Sequence, residues 1–369
     1  MAKYIYQLPE WPDLAWNDRI LSVPLAAVRH RQGLLLGHME TLGLLQRDEA
    51  ILQTLCLDIT KSSEIEGELL DAAQVRSSIA RRLGLDIAGL IPADRRVDGV
   101  VEMSLEATRN FAAPLTAERL FNWHSLLFPP ETAADGRIKA GAWRDDGRGP
   151  MQVVSGAIGM EKVHYEVPPA ERVPAEMTSF LEWTNQTGAI DPVIRAAVAH
   201  LRFVTIHPFD DGNGRVARTI ADWALARSEN TSLRFYSMSA QIRKERRLYY
   251  ELLERTQKGG LDITEWIQWF LSCLDRAIEG TQLSLSTVFK KELFWKTYSG
   301  LSFNDRQRLM LNMLIDGFKG KLSSTKWAAL AKCSQDTAQR DIQDLIGKGV
   351  LIRDAGGGRS TSYSLKEIK

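Results

Sequence analysis

The stretch His207-Pro208-Phe209-Asp210-Asp211-Gly212-Asn213-Gly214-Arg215-Val216-Ala217-Arg218 interrupts two helical runs with a charged, glycine-rich loop. Residues 193–205 are apolar at helical spacing and Pro208 helps to end them, whereas residues 215–227 read as a new helix. The segment is therefore a loop that opens a helix. Gly212 and Gly214 carry no Cβ, so the backbone N–H groups of Gly212, Asn213 and Gly214 can turn inward as an anion nest at the helix N-terminus. Arg215 and Arg218, three apart, share a face and offer forked, permanently charged donors, which makes phosphate the natural occupant. Asp211 adds a hard carboxylate oxygen of the kind Mg²⁺ takes when water and phosphate fill most of its shell. His207 is the candidate base, because imidazole exchanges a proton near neutral pH. Phe209, between polar neighbours, reads as an anchor into the core. Any of these residues alone has a structural reading; together within one short segment, their charge requires a partner.

Outward from this segment the chain is mainly helical. Apolar residues recur at three and four from Asp18 to about Gly84, behind an irregular strap containing Trp11, Pro12 and Trp16. A second helical stretch covers residues 97–128. Glycine and β-formers dominate residues 136–167, which predicts a hairpin from Gln152-Val153-Val154 and Lys162-Val163-His164-Tyr165 around Gly156 and Gly159. Helices resume over 174–227, 240–257 and 262–279, followed by a helix carrying Phe294 and Trp295. The last segment predicts three helices and two strand-like runs around Gly356, the order of a winged helix-turn-helix. The expected domains are a helical N-terminal lobe (1–95), a core (96–280), a connecting helix and linker (281–301) and the winged unit (302–369).

With 369 residues the chain exceeds what one hydrophobic core usually holds. Lys and Arg (47) balance Asp and Glu (46), which excludes a polyanion-coating protein. Cys56, Cys273 and Cys333 are odd in number and in no metal spacing, so neither a disulfide framework nor a zinc site is expected. No apolar run approaches the roughly 20 residues of a membrane span, and the opening residues lack a signal peptide's apolar stretch; the expected location is the cytoplasm, with no membrane partner.

Residues 207–218 resemble the Fic-domain motif HPFx(D/E)GNGRxxR at every fixed position. The resemblance implies a helical Fic fold that moves a nucleotide monophosphate, usually AMP from ATP with Mg²⁺, onto a Tyr, Thr or Ser hydroxyl of a target protein. It implies His207 as the base, Asp211 as the Mg²⁺ ligand, Gly212, Asn213, Gly214 and Arg215 on the phosphates, and Arg218 on the γ-phosphate. The hairpin resembles the family's flap, with Val153, Val154, Val163, His164 and Tyr165 meeting an extended target segment by β-addition. Tyr250 and Gln257 resemble the adenine-side pair, and Tyr249 reads equally as core.

Ser62-Ser63-Glu64-Ile65-Glu66-Gly67 resembles the family's inhibitory motif (S/T)xxxE(G/N), with Ser62 and Glu66 on one helical face and Gly67 after them. Glu66 is expected to meet Arg218 in place of the γ-phosphate, leaving on the order of a per cent of molecules competent.

Two other readings stand beside this enzyme. One is a DNA-binding regulator: residues 304–369 hold twelve Lys or Arg against seven Asp or Glu, a net +5 that permits phosphate contact. Asp336, Asp341 and Asp344 in the recognition-helix segment oppose it, so DNA, a protein partner and a homodimer contact all stay open. The other keeps the fold but transfers a different phosphate-containing group or removes AMP.

Overall fold

A computed structural model describes residues 3–85, 90–129, 138–147, 149–155, 162–188, 190–315, 317–318, 320–354 and 361–366. The expected turns around Gly156 and Gly159 and around Gly356 lie outside the described residues. The chain is mainly helical and divides into two compact units, Met1–Glu40 with Arg47–Thr281, and Thr41–Gln46 with Gln282–Lys369.

In the first unit, α1 (Asp18–Thr41), α2 (Leu44–Ile65), α3 (Ala72–Leu83), α4 (Arg95–Arg109) and α5 (Ala117–Leu127) precede an antiparallel hairpin, β1 (Gln152–Ser155) and β2 (Lys162–Glu166). Then come α6 (Val173–Asn185), α7 (Pro192–Ile206), α8 (Asn213–Glu229), α9 (Met238–Lys244), α10 (Arg246–Gln257) and α11 (Thr264–Thr297). The N-terminal helices and the core, read from sequence as successive segments, thus belong to one unit. α7 is its centre: every residue from Ala196 to Ile206 is buried, the polar His200, Arg202 and Thr205 among them, as a helix packed on all sides requires. Asp191 fixes its start by accepting the Val193 N–H (2.8 Å), with Pro192 in the first turn, where a missing N–H costs nothing. The strap docks through Trp11 Nε1, which donates to Glu176 (2.8 Å), and through a bridge between Ala15 and Asp262. α11 runs unbroken through Gly280, where the sequence predicted a helix end, although the division between the two units does fall there, between Thr281 and Gln282.

The second unit, beyond the last turns of α11, contains α12 (Asp305–Ile315), α13 (Ser324–Leu330), α14 (Gln335–Gly347), β3 (Leu351–Arg353) and β4 (Tyr363–Leu365). β3 and β4 pair antiparallel, Leu351 with Leu365 and Arg353 with Tyr363. Met310, Leu311, Trp327, Ile342, Leu345, Leu351 and Tyr363 form its buried core. Among the described residues no helix is long and apolar enough to cross a membrane.

Candidate active site

The loop between α7 and α8 is built for exposure of a few groups on a rigid base. His207 closes α7 in the left-handed conformation (φ 53°), its N–H donating to Phe203 O (2.9 Å). This turn takes the ring off the helix axis while its Nδ1 stays 3.2 Å from Val204 O. With a carbonyl as partner, Nδ1 carries the proton, so Nε2 keeps its lone pair free to accept one. Burial, opposed by that hydrogen bond, pushes the His207 pKa down to about 4, so the ring is neutral at pH 7. Phe209 is fully buried. Asn213 clasps it, accepting the Phe209 N–H (3.0 Å) and donating to its carbonyl (2.8 Å). The Asn213 side chain is thereby a loop staple, which leaves its backbone N–H as the group available to an anion.

α8 starts from Gly212 at φ 76° with no side-chain cap, so its first N–H groups have no intrahelical partner. Asp211 is exposed; one carboxylate oxygen accepts the Gly212 N–H (2.5 Å). Among the described residues no three His, Cys, Asp or Glu cluster as a cation site. A single carboxylate fits Mg²⁺, which takes the rest of its shell from phosphate and water.

Arg215 and Arg218 are each 3% exposed, and both point to the C-terminal end of α2. Arg218 donates to Ser62 Oγ (2.9 Å), Ser62 O (2.9 Å) and Glu66 Oε1 (2.7 Å). The other Glu66 oxygen accepts from Tyr250 OH (3.2 Å). A Cβ added at Gly214 would lie 2.1 Å from Glu66 Oε1, so the carboxylate rests directly on the glycine of the nest. Desolvation works to raise the Glu66 pKa, but Arg218 and Arg215 together hold it below the ordinary carboxylate value, and the group is an anion. Burial, then the Glu66 charge, raises Tyr250 to about 12, which keeps its hydroxyl a donor. α2 is held in this position by Arg246, donating to Ile65 O (2.7 Å), by Arg243 on Glu64 (3.0 Å), and by Ser237 on Asp58 (2.6 Å).

The hairpin lies beside α10. Val154 (47%) and Val163 (38%) are exposed, and His164 bridges Ser155 (2.5 Å) and Glu254 (2.6 Å). Tyr165, expected among the target-docking residues, is instead buried and donates to Thr205 O (2.9 Å), which makes it the anchor of the hairpin. Gln257 is also buried, its amide directed to Val204 O and Thr205 Oγ1 at the end of α7. Tyr249 is core, bonded to His200 (2.9 Å).

Two residues without a sequence signal shape the loop. His124 on α5 stacks on Phe209 (4.0 Å between centroids). Its Nδ1 accepts the Gly141 N–H (3.0 Å), so Nε2 bears the proton and donates to Asp211 O (3.2 Å). Burial holds its pKa down at about 4 and keeps it in that neutral form. Arg144 donates from Nε to His207 O (2.8 Å), and its own N–H meets Pro208 O (2.9 Å).

Residues 114–225 match the Fic/DOC family and residues 4–85 match a domain of unknown function, DUF4172. Over 122 residues the chain is 34% identical to the uridine 5'-monophosphate transferase of Xanthomonas campestris pv. campestris (strain 8004), covering 31% of this chain and 22% of that protein. Over 128 residues it is 33% identical to the protein adenylyltransferase Fic of Nematostella vectensis, covering 33% and 27%. The chain therefore spans about a quarter of the length of these relatives. The crystal structure of a Fic family protein from Desulfovibrio desulfuricans G20 shares the fold, with a TM-score of 0.56, 21% identity, and coverage of 97% of this chain and 99% of that one.

Proposed function

We propose that the chain, whose residues 114–225 are a Fic domain, is a self-restrained nucleotidyltransferase that moves AMP from ATP onto a Tyr, Thr or Ser hydroxyl of target proteins and of itself. The observation that carries this reading is the Glu66 carboxylate seated on Gly214 and Arg218, an anion already occupying the place built for one. Phosphates of the nucleotide replace it, taken by the free N–H groups of α8, Arg215 and Arg218. His207 Nε2 accepts the proton of the acceptor hydroxyl as its oxygen bonds to the α-phosphorus and the bond to pyrophosphate breaks. The residue fitted to hold Mg²⁺ is Asp211, and the ion would neutralise charge on the polyphosphate. The exposed Val154 and Val163 give an extended target segment a strand edge beside the site.

Restraint follows from burial. Arg218 without a carboxylate or a phosphate is an uncompensated buried charge, a loss of about 3–5 kcal/mol, so the closed state dominates until nucleotide supplies the replacement. In the second unit we read a winged helix-turn-helix that contacts DNA, a protein partner or a second copy. Of the three acidic residues that count against DNA, Asp341 is withdrawn from the surface, while Asp336 and Asp344 stay exposed. Asp341 is 6% exposed and paired with Arg306 (2.8 Å), and Asp344 is paired with Lys348 (2.5 Å). We place the protein in the cytoplasm on its composition.

The test compares wild type and Glu66→Gly with Mg²⁺ and either labelled ATP or labelled UTP, because a similar protein is named a uridine 5'-monophosphate transferase. Glu66→Gly is expected to raise labelling from ATP on the order of 10–100-fold. Equal labelling by both proteins ends the restraint, and preference for UTP reassigns the donor.

A further inference from the structure

We infer that Arg96 is an additional ligand of the nucleotide's phosphates, and that Glu68 occupies the oxyanion position that Arg96 and Arg215 form together. This rests on the proposed transfer of a nucleotide group at the same site.

α2 ends in a Schellman turn: Gly67, at φ 86°, donates to Glu64 O (3.1 Å), and Glu68 donates to Ser63 O (3.0 Å). Left-handed backbone is open to glycine at little cost, so the turn is tight and its two flanking carboxylates leave it as a unit. Glu66 goes to Arg218. Glu68 goes the other way, and its Oε2 accepts from both Arg215 Nη1 (2.6 Å) and Arg96 Nη2 (2.9 Å). One oxygen between two guanidinium groups is the arrangement that a phosphate oxygen takes between arginines.

The burial of these groups says which member is the substitute. Arg215 is 3% exposed, lies over the Phe128 ring (5.1 Å) and has no partner for its Nε, so it depends on the anion in front of it. Arg96, at the start of α4, has a side chain 41% exposed and shares Glu68 across from the nest. Three arginines thus converge where two carboxylates from a single turn sit. When that turn withdraws, both carboxylates leave together and a polyphosphate is the anion with enough oxygens to satisfy Arg218, Arg215 and Arg96 at once.

Isothermal titration of the full chain with ATP and, separately, with adenosine tests this without reading activity. Glu68→Gln keeps shape and removes charge; it is expected to tighten ATP about tenfold, the size of one charge-assisted hydrogen bond, and to leave adenosine unchanged. In the Glu66→Gly, Glu68→Gln background, Arg96→Gln is expected to weaken ATP about tenfold, again without touching adenosine, and Arg96→Lys to recover part of the loss. Thermal unfolding of each variant confirms that the comparison is between folded proteins. ATP affinity unmoved by Arg96→Gln, or moved equally for adenosine, overturns the inference while the transfer reading stands. Absence of any ATP binding in the opened background removes both.

Discussion

α8 and α14 both begin a helix after a loop, and they begin it in opposite ways. α14 supplies its own cap: Ser334 accepts the Thr337 N–H (3.2 Å), and Asp336 adds a negative charge in the first turn. α8 has a left-handed glycine at the cap position, no capping side chain and no acidic residue in its first turn. The missing negative charge comes instead from Glu66, 148 positions before Gly214 in the chain. A helix that caps itself is finished locally, whereas one left open depends on whichever anion reaches it, and the proposed function rests on an internal carboxylate and an external phosphate competing for that end.

The largest effect expected from this contrast is at His207, which stands beside the open end without holding the anion. His207→Ala in the Glu66→Gly background should lower nucleotide transfer by about 10²–10⁴-fold with ATP affinity unchanged. Parallel measurement of label transfer and of ATP titration checks it, and a fall in affinity as large as the fall in rate would move His207 from proton transfer to binding. Smaller, but more direct, is Gly214→Ala. The added Cβ falls 2.1 Å from Glu66 Oε1, so it disturbs the internal carboxylate and fills the space a phosphate needs. If the open end is the shared seat, this variant loses ATP affinity by roughly tenfold or more and is not activated. Activation resembling that of Glu66→Gly would show that the carboxylate restrains the enzyme through Arg218 alone.

The open end of α8 was legible because its parts are local: glycines, arginines, carboxylate and imidazole fall within residues 207–218. The meeting of Glu66 with Arg218, 152 positions apart, was expected through the resemblance of residues 62–67 to the family's inhibitory motif, since charge alone does not choose one arginine among many. What sequence did not carry were groups whose work depends on distant backbone. His124 reads as any helical histidine until its ring is found on Phe209 and its proton on Asp211 O, 87 residues away. Arg144 is likewise one arginine among many until it reaches the carbonyl of His207. Glu68 carries no signal in the sequence, because neither Arg215 nor Arg96 is near it in the chain. Tyr165 fits the alternation of an exposed strand, yet tertiary packing buries it. Gly280 looked like a helix end, but a glycine inside a helix costs only about 1 kcal/mol, and α11 passes through it even though the two units divide between Thr281 and Gln282.

The smallest effect lies at the self-sufficient end. Ser334→Ala removes the oxygen that accepts the Thr337 N–H and leaves the rest of α14 in place, including Ala338, Ile342 and Leu345 in the core of its unit. Loss of such a cap typically costs about 1 kcal/mol, roughly fivefold in the folding equilibrium of that unit. Chemical denaturation followed through the second unit should show that loss, and nucleotide affinity should not change, because the capped end holds no group of the nucleotide site. The two readouts separate the helices. A stability loss with unchanged ATP titration keeps α14 as a helix completed by its own sequence, and a change in ATP affinity on Ser334→Ala would show that the helix start is coupled to the nucleotide site after all.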